Sequence, residues 1–408
     1  MDRRDAEALD AADPLAGFRQ TFDLPEGVIY LDGNSLGPLP RATTARLAEV
    51  THQEWGRGLI TSWNAAGWID APQRVGGKIA GLIGARAHEV IAADSTSVNL
   101  FKLAAGALSL RPGRRTLVTE NDNFPTDIYV LEGLAALSGA TLKVVEPDEV
   151  LAAINDDTAA VVLTHVHYKT ARRHDLAGVT AAAHERGALA LWDLSHTAGA
   201  LAIDLNGARA DLAVGCGYKY FNGGPGAPAF LFVAERHQAA IRSPLSGWMG
   251  HAEPFAFEPA YRPALDIRAQ LCGTPAILGL AALEASVEPL LAAGPRAIED
   301  KGLALCDLFI QLVKSRCAGH GLSLEGPRRM EDRGLHVSWA HPQGYALVQA
   351  LIARGVIGDF RDPDIARFGF SPLFLRYVDV WDAVEVMRKI LASGEHLLGA
   401  YQERARVT

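Results

Sequence analysis

The sequence predicts an α/β protein: a mostly parallel central sheet with helices on both faces, followed by a smaller α+β domain. Two observations support this fold class. From residue 78 onward, strand-like and helix-like segments alternate, which is typical of parallel strands joined by right-handed helical crossovers. Several strand-like segments, such as AAVVLTHV and ALALWDL, are nearly continuous apolar runs, as expected of strands whose two faces are both covered.

The elements follow in chain order. We expect a helical arm and a turn over residues 1–27, a short strand and a glycine-containing turn in VIYLDGNSLGPLP, and a helix over 43–55. The sheet region then alternates strands with helices: EVIAAD, STSVNLFKLAAGAL, TLVTE, TDIYVLEGLAAL, TLKVVE, AAVVLTHV, LAGVTAAAHERG and ALALWDL. After residue 275 we expect a long helix (AILGLAALEASVEPLLAAG), helix 301–316, strand 335–339, helix 343–354, strand 355–359, a short strand at 365–370 and helix 379–392. We therefore predict an arm (1–30), a large domain (31–285) and a small domain (286–408).

Composition narrows the class of protein. The chain has 408 residues, 49% hydrophobic, and a net charge of −8 without a basic block, so we expect no nucleic-acid partner. No apolar run reaches the roughly 20 residues that a membrane-spanning helix needs, and the first residues lack the apolar core of a signal peptide. The four cysteines form no CxxC pair, which favours a reduced, cytoplasmic setting: Cys216, Cys272, Cys306 and Cys317.

The segment DSTSVNLF places hydroxyl side chains where a predicted strand gives way to a predicted helix. Ser95, Thr96 and Ser97 fall at this junction. The unpaired N–H groups at a helix start, together with hydroxyls, form a good site for a phosphate group. Serine and threonine also favour this position as ordinary helix caps, which is the simpler explanation of the motif by itself.

Two further strand ends carry an aromatic ring and a carboxylate. Phe124, in NDNFPTD, is placed either to lie flat against a planar ligand or to close a small apolar cluster. Asp193, in LWDLSHTAGA, follows an apolar strand, where a charged carboxylate needs a partner. A pyridinium N–H is one suitable partner; capping of the next turn, or a contact with His196, is the alternative.

A single lysine stands between two tyrosines in GCGYKYFNGGPGAPAFLFV. Lys219 follows the strand after Asp193, so both side chains are expected at the same edge of the sheet. A desolvated amine becomes a nucleophile. In chain order, the sequence thus offers a helix start for a phosphate, an aromatic ring that can stack, a carboxylate for a pyridine nitrogen and an amine. These are the groups that pyridoxal phosphate requires. A solvated surface lysine would explain neither the glycines nor the tyrosines around it.

These motifs resemble a known family. TSVNLF, NFPTD, WDLSH and GYKYFNGGPG resemble the fold-type I pyridoxal phosphate enzymes, in the class V aminotransferase branch that contains the cysteine desulfurases. Further motifs resemble the bacterial kynureninases, from about residue 20 to about residue 390: YLDGNSLGPLP, WGRGLITSWNAAGW, LTHVHYKT, PLSGWMGH, LCGTP and RGVIGDFRDPDIARFGFSPLF. The resemblance implies hydrolytic Cβ–Cγ cleavage of L-kynurenine or 3-hydroxy-L-kynurenine to L-alanine and anthranilate or 3-hydroxyanthranilate, in tryptophan catabolism.

The resemblance also implies roles for individual residues. Lys219 would bond the cofactor's aldehyde and move protons, with Tyr218 as a proton donor or relay, and Asp193 would pair with the pyridine nitrogen. Thr274 would reach the phosphate of a neighbouring subunit, which implies a homodimer with shared active sites. Arg367 would bind the substrate carboxylate by a bidentate fork, while Ser35 and Trp63 would flank the aromatic end of the substrate. The other expected cofactor contacts are Thr96, Ser97, Phe124, Pro125, Thr126, Asp127, Thr170, His196, Tyr218 and Trp248.

Some features fit the resemblance less directly. The family leads us to expect asparagine where this chain has His167, in THVHYKT. His165 and His167 have a spacing that suits zinc, but no cysteine or third histidine stands nearby in the sequence, so we expect no metal. Trp63 is equally consistent with a core or dimer contact.

The alternatives in function are a cysteine desulfurase, a class V aminotransferase and a non-catalytic pyridoxal-binding regulator. A nicotinamide-binding enzyme is disfavoured, because no G-x-G-x-x-G follows the first strand of the sheet.

Overall fold

The structure is a computed structural model that describes residues 1–405. Helices α1 to α13 span, in order, Arg3–Ala11, Arg41–Glu49, Ser62–Ala65, Ala71–Leu82, Thr96–Leu110, Pro125–Ser138, Val150–Ala153, Leu176–Glu185, Glu235–Gln238, Ile277–Ala293, Pro295–Arg316, Gly344–Ala353 and Tyr377–Ser393. Strands β1 to β13 span, in order, Ile29–Tyr30, Val90–Ala92, Thr116–Glu120, Thr141–Val145, Thr158–Thr164, Leu189–Asp193, Leu212–Gly215, Phe230–Val233, Ser323–Glu325, His336–Ala340, Val356–Ile357, Asp359–Arg361 and Ile365–Gly369.

A seven-stranded sheet forms the centre of the large domain. Its strand order is β2-β8-β7-β6-β5-β3-β4, and only β8 runs antiparallel to its neighbours. Successive residues of β5 alternate between two apolar cores: Val161 and Leu163 enter one, and Ala160 and Val162 enter the other. Because helices cover both faces, the strand is buried along its whole length. The predicted fold class, a mostly parallel sheet covered on both faces, is confirmed.

The C-terminal part builds a second, antiparallel sheet in the order β12-β13-β10-β9. Helices α11 and α12 pack against this sheet, and α13 packs against those two helices. This confirms the predicted α+β character. The predicted strand 355–359 was wrong in one respect, because it is two strands. β11 pairs in parallel with β1, with Ile29 opposite Val356, and β12 joins the small sheet. A partner strand more than 300 residues away in the chain leaves no local signal in the sequence.

The N-terminal arm packs against the small sheet's helices. The Asp10 carboxylate accepts hydrogen bonds from the backbone N–H groups of Tyr377 and Val378, over 2.6 and 3.0 Å, and so caps the start of α13. Asp13 forms a buried ion pair with Lys301 over 2.7 Å. The arm is therefore fixed to the C-terminal part, while the division of the chain at residues 30 and 285 stays a prediction.

The structure contains the helix predicted over 43–55, in altered form, and the predicted long helix AILGLAALEASVEPLLAAG. The helix expected over 43–55 is α2 followed by a π-helical segment, Val50–Gly58, which ends where Leu59 adopts a φ of +51°. The expected long helix is α10, which packs against α2 and α4 and thereby joins the end of the large domain to its beginning.

Within residues 1–405, no single helix is long and apolar enough to cross a membrane; α10 and α11 reach that length and composition only when counted together, and they meet at a bend of 82°.

Candidate active site

The carboxyl ends of β6 and β7 bring Asp193 and Lys219 to one edge of the sheet. Asp193 is the last residue of β6 and lies opposite Val214 of β7. The turn that carries Lys219 is fixed from behind, since the Gly37 N–H donates to the Tyr218 carbonyl over 2.8 Å. A Cβ at Gly37 would lie 2.4 Å from the Lys219 carbonyl oxygen, so only glycine permits this approach. The GNSLG motif therefore supports the lysine turn.

Lys219 meets a buried, neutral histidine. Its Nζ lies 3.1 Å from Nε2 of His196. Burial, reinforced by the charge of Lys219 and by His336, lowers the pKa of His196 well below its ordinary value, so the ring stays neutral. Its Nδ1 is buried and has no hydrogen-bond partner among residues 1–405. Such an uncompensated polar atom next to an amine marks this as a ligand site rather than a finished core.

Two buried carboxyl groups interact with Lys219. Asp127 and Asp193 interact directly with one another, and burial raises the pKa of both. The pKa of Asp127 rises well above its ordinary value, because the charge of Asp193 adds to its desolvation. Asp193 is favoured as the ionised member by Lys219 and by the Ser195 N–H, which donates to its Oδ1 over 2.7 Å. Within the pair, Asp127 is therefore favoured to hold a proton and Asp193 to carry the negative charge.

Two helix starts lie at the same sheet edge. Thr96 and Ser97 are the first residues of α5, and the Ser95 hydroxyl caps that helix by accepting from the Val98 N–H over 3.4 Å. Pro125 and Thr126 begin α6 directly after Phe124. The unpaired N–H groups and the positive end of the helix dipole suit a phosphate group.

Phe124 stands partly exposed at the mouth of this region. Its ring is 37% exposed and meets the Tyr168 ring edge-on, with 5.3 Å between centroids. One face of the phenyl ring is thus supported by a neighbouring aromatic residue, which fits either of the two explanations given for it from the sequence.

A second wall of the site comes from the small sheet. Arg367 on β13 lies opposite Asp359 on β12 and is almost fully buried. Its Nε donates to Asp359 Oδ1 over 2.8 Å and its Nη2 to the other carboxylate oxygen over 2.5 Å. Nη2 also donates to Ser35 Oγ over 2.8 Å, and Nη1 donates to the Tyr168 carbonyl. The fork predicted to hold a substrate carboxylate is therefore engaged, in this structure, by the protein's own Asp359.

The charged groups of this wall shift the pKa values of one another. Although burial opposes ionisation, Arg367 and Arg361 keep the pKa of Asp359 below its ordinary value. The nearby Asp32 lacks such direct pairing, and burial together with the charge of Asp359 raises its pKa to about 7. Around one guanidinium group, the wall thus contains one carboxyl group whose pKa is lowered and another whose pKa is raised.

His167, which stands where the resemblance leads us to expect asparagine, joins two loops of the site. Its Nε2–H donates to the Asp122 carbonyl over 2.9 Å, and its Nδ1 accepts from the Thr170 N–H over 3.1 Å. Thr170 is thereby held beside the loop that contains Phe124. His165, by contrast, bonds Thr197 over 3.0 Å, so the two histidines serve different partners.

Three predicted site residues have their contacts with residues other than Lys219. Trp63 on α3 meets Trp68 edge-on, with 6.1 Å between ring centroids. Trp248 packs against two exposed aromatic residues, Phe255 and Phe257. Thr274 lines a cavity of about 240 Å³ together with Asp94 and Gly226. Their roles at the cofactor or substrate stay predictions.

Sequence reasoning missed several residues of the site. Asp359 was detectable in principle, because it and Arg367 are partners in a short hairpin, DFRDPDIAR, that pairs an acid with an arginine. His336, whose ring lies 5.3 Å from that of His196, sits on a buried strand of the other domain and gave no signal. Asp32 stands in the quoted motif YLDGNSLG but was not singled out.

The residues at the sheet edge fit pyridoxal phosphate. An amine beside a neutral imidazole, a buried pair of carboxyl groups, and two helix starts match the cofactor's aldehyde, pyridine nitrogen and phosphate. The carboxylate pair carries particular weight, because a buried negative charge calls for a cationic partner such as a protonated ring nitrogen.

Comparisons with known proteins agree with this chemistry. The family profile described as aminotransferase class-V matches residues 29–336, and the profile described as the kynureninase C-terminal domain matches residues 298–387. The chain is thus a pyridoxal-phosphate-dependent protein of the class V aminotransferase group. Kynureninase from Pseudomonas fluorescens is 52% identical over 100% of this chain and 99% of its own length, and kynureninase from Burkholderia mallei is 51% identical with the same coverage. The chain belongs to the kynureninase family.

Solved structures support the fold alone, because their sequence identities are low. A cysteine desulfurase from Thermococcus onnurineus NA1 has a TM-score of 0.77 at 17% identity, covering 93% of this chain and 98% of its own. A cysteine desulfurase from Escherichia coli has a TM-score of 0.76 at 17% identity, with the same coverage. The fold-type I prediction made from the sequence is confirmed.

Proposed function

We propose that this protein hydrolyses the Cβ–Cγ bond of L-kynurenine, or of its 3-hydroxy form, to give L-alanine and anthranilate or 3-hydroxyanthranilate. The observation that carries this proposal is the match to kynureninases at about half identity over the entire chain. The side chains that the chemistry needs, Lys219, Asp193 and Arg367, all lie in buried, polar surroundings. We place the reaction in tryptophan catabolism.

Pyridoxal phosphate, when bound, supplies an aldehyde that condenses with amines and a ring that withdraws electrons from the substrate. Asp193 would provide the negative charge that keeps a proton on the pyridine nitrogen, and Asp127, whose pKa is raised further, would keep its own proton and so avoid a second charge. Lys219 Nζ would hold the cofactor through its aldehyde, and as a free amine Lys219 would take the proton from the substrate Cα. The neutral His196 accepts a hydrogen bond from Lys219 without adding positive charge.

Tyr218 is suited to donate a proton rather than to hold a negative charge. Burial, with smaller effects of Cys216 and Asp193, raises the pKa of its phenol to about 12. The Lys219 Nζ lies 5.9 Å from the centre of its ring, so the phenol belongs to the same site. We assign to Tyr218 the role of proton donor or relay during bond cleavage.

Arg367 orients the substrate through its carboxylate. The guanidinium group is held in place by Asp359, Ser35 and the Tyr168 carbonyl, so the substrate carboxylate has to displace Asp359 in order to engage the fork. A fixed cation at one end and Lys219 at the other align the substrate Cα with the amine, which is the positioning that catalysis requires. Ser35 and Trp63 flank the aromatic end of the substrate in this proposal.

We propose a homodimer in which the two active sites share residues. Supporting this, large apolar side chains are exposed in the segments that adjoin Trp63 and Trp248 in the sequence: Trp55, Leu59, Ile60, Phe255, Phe257 and Leu265. Thr274 and Trp248 lie on adjoining loops, because the Met249 N–H donates to the Cys272 carbonyl over 3.2 Å. In the dimer, Thr274 would meet the phosphate of the partner subunit's cofactor.

We also place the protein in the cytoplasm. The four cysteines are unpaired, which suits a reducing compartment.

A desulfurase activity is disfavoured by the state of the cysteines. Such an enzyme needs a reactive thiolate on an accessible loop. Cys306 and Cys317 are buried, and burial raises their pKa values to about 12 and about 11. Cys272 is the more accessible thiol, but burial raises its pKa as well, and its Sγ donates to the Leu245 carbonyl.

A coupled assay tests the proposed activity. Purified protein loaded with pyridoxal phosphate is given kynurenine or 3-hydroxykynurenine, the fluorescence of the aromatic product is followed, and alanine is quantified by an alanine dehydrogenase. We expect alanine and the aromatic amine in equal amounts. Formation of a keto acid without alanine, or release of sulfur from cysteine with no action on either kynurenine, would overturn the proposal.

A further inference from the structure

Lys102 is a buried lysine on α5 that the proposed chemistry does not use. Its side chain is 0% exposed. The ammonium group donates to Asp94 Oδ2 over 2.7 Å and to the Gln270 carbonyl over 2.6 Å. Lysine is almost never fully buried unless it is paired, because desolvation of the ammonium group is costly. Two acceptors on two separate loops indicate that Lys102 holds those loops together.

The first loop leads into the predicted phosphate site. Asp94 has a φ of +49°, a left-handed conformation that residues other than glycine rarely adopt, so something must hold it there. Its carbonyl accepts from the Ala229 N–H over 2.9 Å, and its carboxylate accepts from Lys102. Because Asp94 directly precedes the Ser95 cap, its position sets where the first turn of α5 begins.

The second loop leads to Thr274. Gln270 is the last residue of a short 3-10 helix, Ile267–Gln270, and Thr274 follows four residues later. Asp94 and Thr274 line the same cavity of about 240 Å³. Lys102 therefore fixes two walls of one cavity, one of them attached to the start of α5 and the other to Thr274.

We propose that Lys102 is a positioning residue. It joins the phosphate-binding turn of its own site to the loop that carries Thr274, and this loop reaches the site of the partner subunit. Each lysine then supports cofactor binding at both sites of the dimer. This inference rests on the proposed function for the dimer and for the place of Thr274. Lys102 contacts neither substrate nor reacting atoms, so it acts through Asp94 and Gln270.

The test compares Lys102→Met with Lys301→Met. Lys301 is a matched control, because its buried ammonium also pairs with one carboxylate, Asp13, and one carbonyl, that of Pro372, but between the arm and the small domain. Both variants are stripped of cofactor and titrated with pyridoxal phosphate, and urea unfolding of the stripped proteins is recorded alongside.

We expect both substitutions to lower the urea midpoint. Only Lys102→Met should raise the Kd for pyridoxal phosphate, by at least about tenfold, because it removes the two charged hydrogen bonds that hold the two loops together. An unchanged Kd, or an equal rise in Lys301→Met, would overturn the proposal. Should Lys102→Met not fold, Asp94→Asn, which keeps the lysine and weakens only the charge pairing, carries the same expectation.

Mixed dimers with one Lys102→Met chain, separated by two affinity tags, test the coupling. We expect weakened binding at both sites; one unaffected site and one weakened site would contradict the shared role. The titration also distinguishes the failure of the underlying proposal. A wild-type chain that binds pyridoxal phosphate as a monomer refutes the shared sites, whereas a wild-type dimer whose binding is insensitive to Lys102 refutes only this inference.

Discussion

The two walls of the active site handle buried charge in opposite ways. At the edge of the large sheet, charge is minimised: His196 is neutral, and Asp127 carries the proton that would otherwise leave two carboxylates side by side. On the small sheet, charge is kept, since Arg367 and Asp359 are both buried and directly paired. The first wall suits a cofactor whose ring changes its electron distribution, and the second suits a permanent anion on the substrate.

The walls also differ in how the chain builds them. Asp193 and Lys219 come from consecutive strands of one sheet, so their proximity follows from local order. The Arg367 group is assembled from residues far apart in the chain, since the bond between Ser35 and Arg367 spans 332 residues. Substitutions at the first wall should therefore act mainly on chemistry, and those at the second should act on both substrate binding and folding.

The largest expected effect lies at the first wall. Lys219→Ala removes the amine that bonds the cofactor and takes the substrate proton, so we expect turnover and the visible absorption band of the protein-bound cofactor both to disappear. Lys314→Ala, at an exposed position on α11, is the control and should leave both intact. A Lys219→Ala protein that keeps either property would contradict the role of Lys219.

The carboxyl pair gives a second, sharper test of the first wall. Asp193→Asn removes the negative charge opposite the pyridine nitrogen, and we expect kcat to fall by about 10³-fold. Asp127→Asn replaces a carboxyl group that is already protonated by a neutral amide of similar shape, so kcat should fall by less than about tenfold. Steady-state kinetics on both variants decide the matter. Equal losses would show that the proton is not confined to Asp127.

The second wall predicts a binding effect. Arg367→Lys keeps a cation beside Asp359 but loses the planar fork, so we expect KM for kynurenine to rise about 10- to 100-fold with a smaller change in kcat. Arg361→Lys, next to the same carboxylate but more exposed, should change KM by less than about threefold. If kcat rather than KM falls in Arg367→Lys, Arg367 acts in the chemical step and the contrast between the walls is lost.

The smallest expected effect concerns the pH dependence of stability. Because the folded pKa of Asp32 is about 7, above its ordinary value of 3.8, the fold binds this proton more tightly than the unfolded chain does. The resulting stabilisation is present below about pH 4 and is lost as the pH rises through about 7. Asp32→Asn should therefore gain unfolding free energy relative to wild type as the pH rises across this window, measured by urea unfolding.

The exposed Asp156→Asn supplies the control for the substitution itself. A gain in Asp32→Asn that shrinks as the pH rises would contradict the raised pKa of Asp32.

The sequence predicted the first wall and much less of the second. Strand ends in a parallel sheet converge by geometry, so apolar runs followed by Asp193 and Lys219 were sufficient to place them together. Arg367 was found only through family resemblance, and its partners Asp359 and Asp32 were not singled out, because pairings of β1 with β11 and of β12 with β13 depend on long-range packing. Lys102 gave no signal, since a lysine within a helix is usually exposed.

The protonation states could not be predicted from the sequence either. Whether Asp127 or Asp193 carries the proton depends on distances to Lys219 and to the Ser195 N–H, which only the folded chain defines.

The central claim is that Lys219 and no other lysine bonds a cofactor held by Asp193. Borohydride reduction of the protein loaded with pyridoxal phosphate, followed by mass spectrometry of its peptides, tests this most directly. The account predicts a phosphopyridoxyl group on Lys219 at one per chain in the wild-type protein. Labelling of another lysine in place of Lys219, or no label at all in protein saturated with the cofactor, would contradict it.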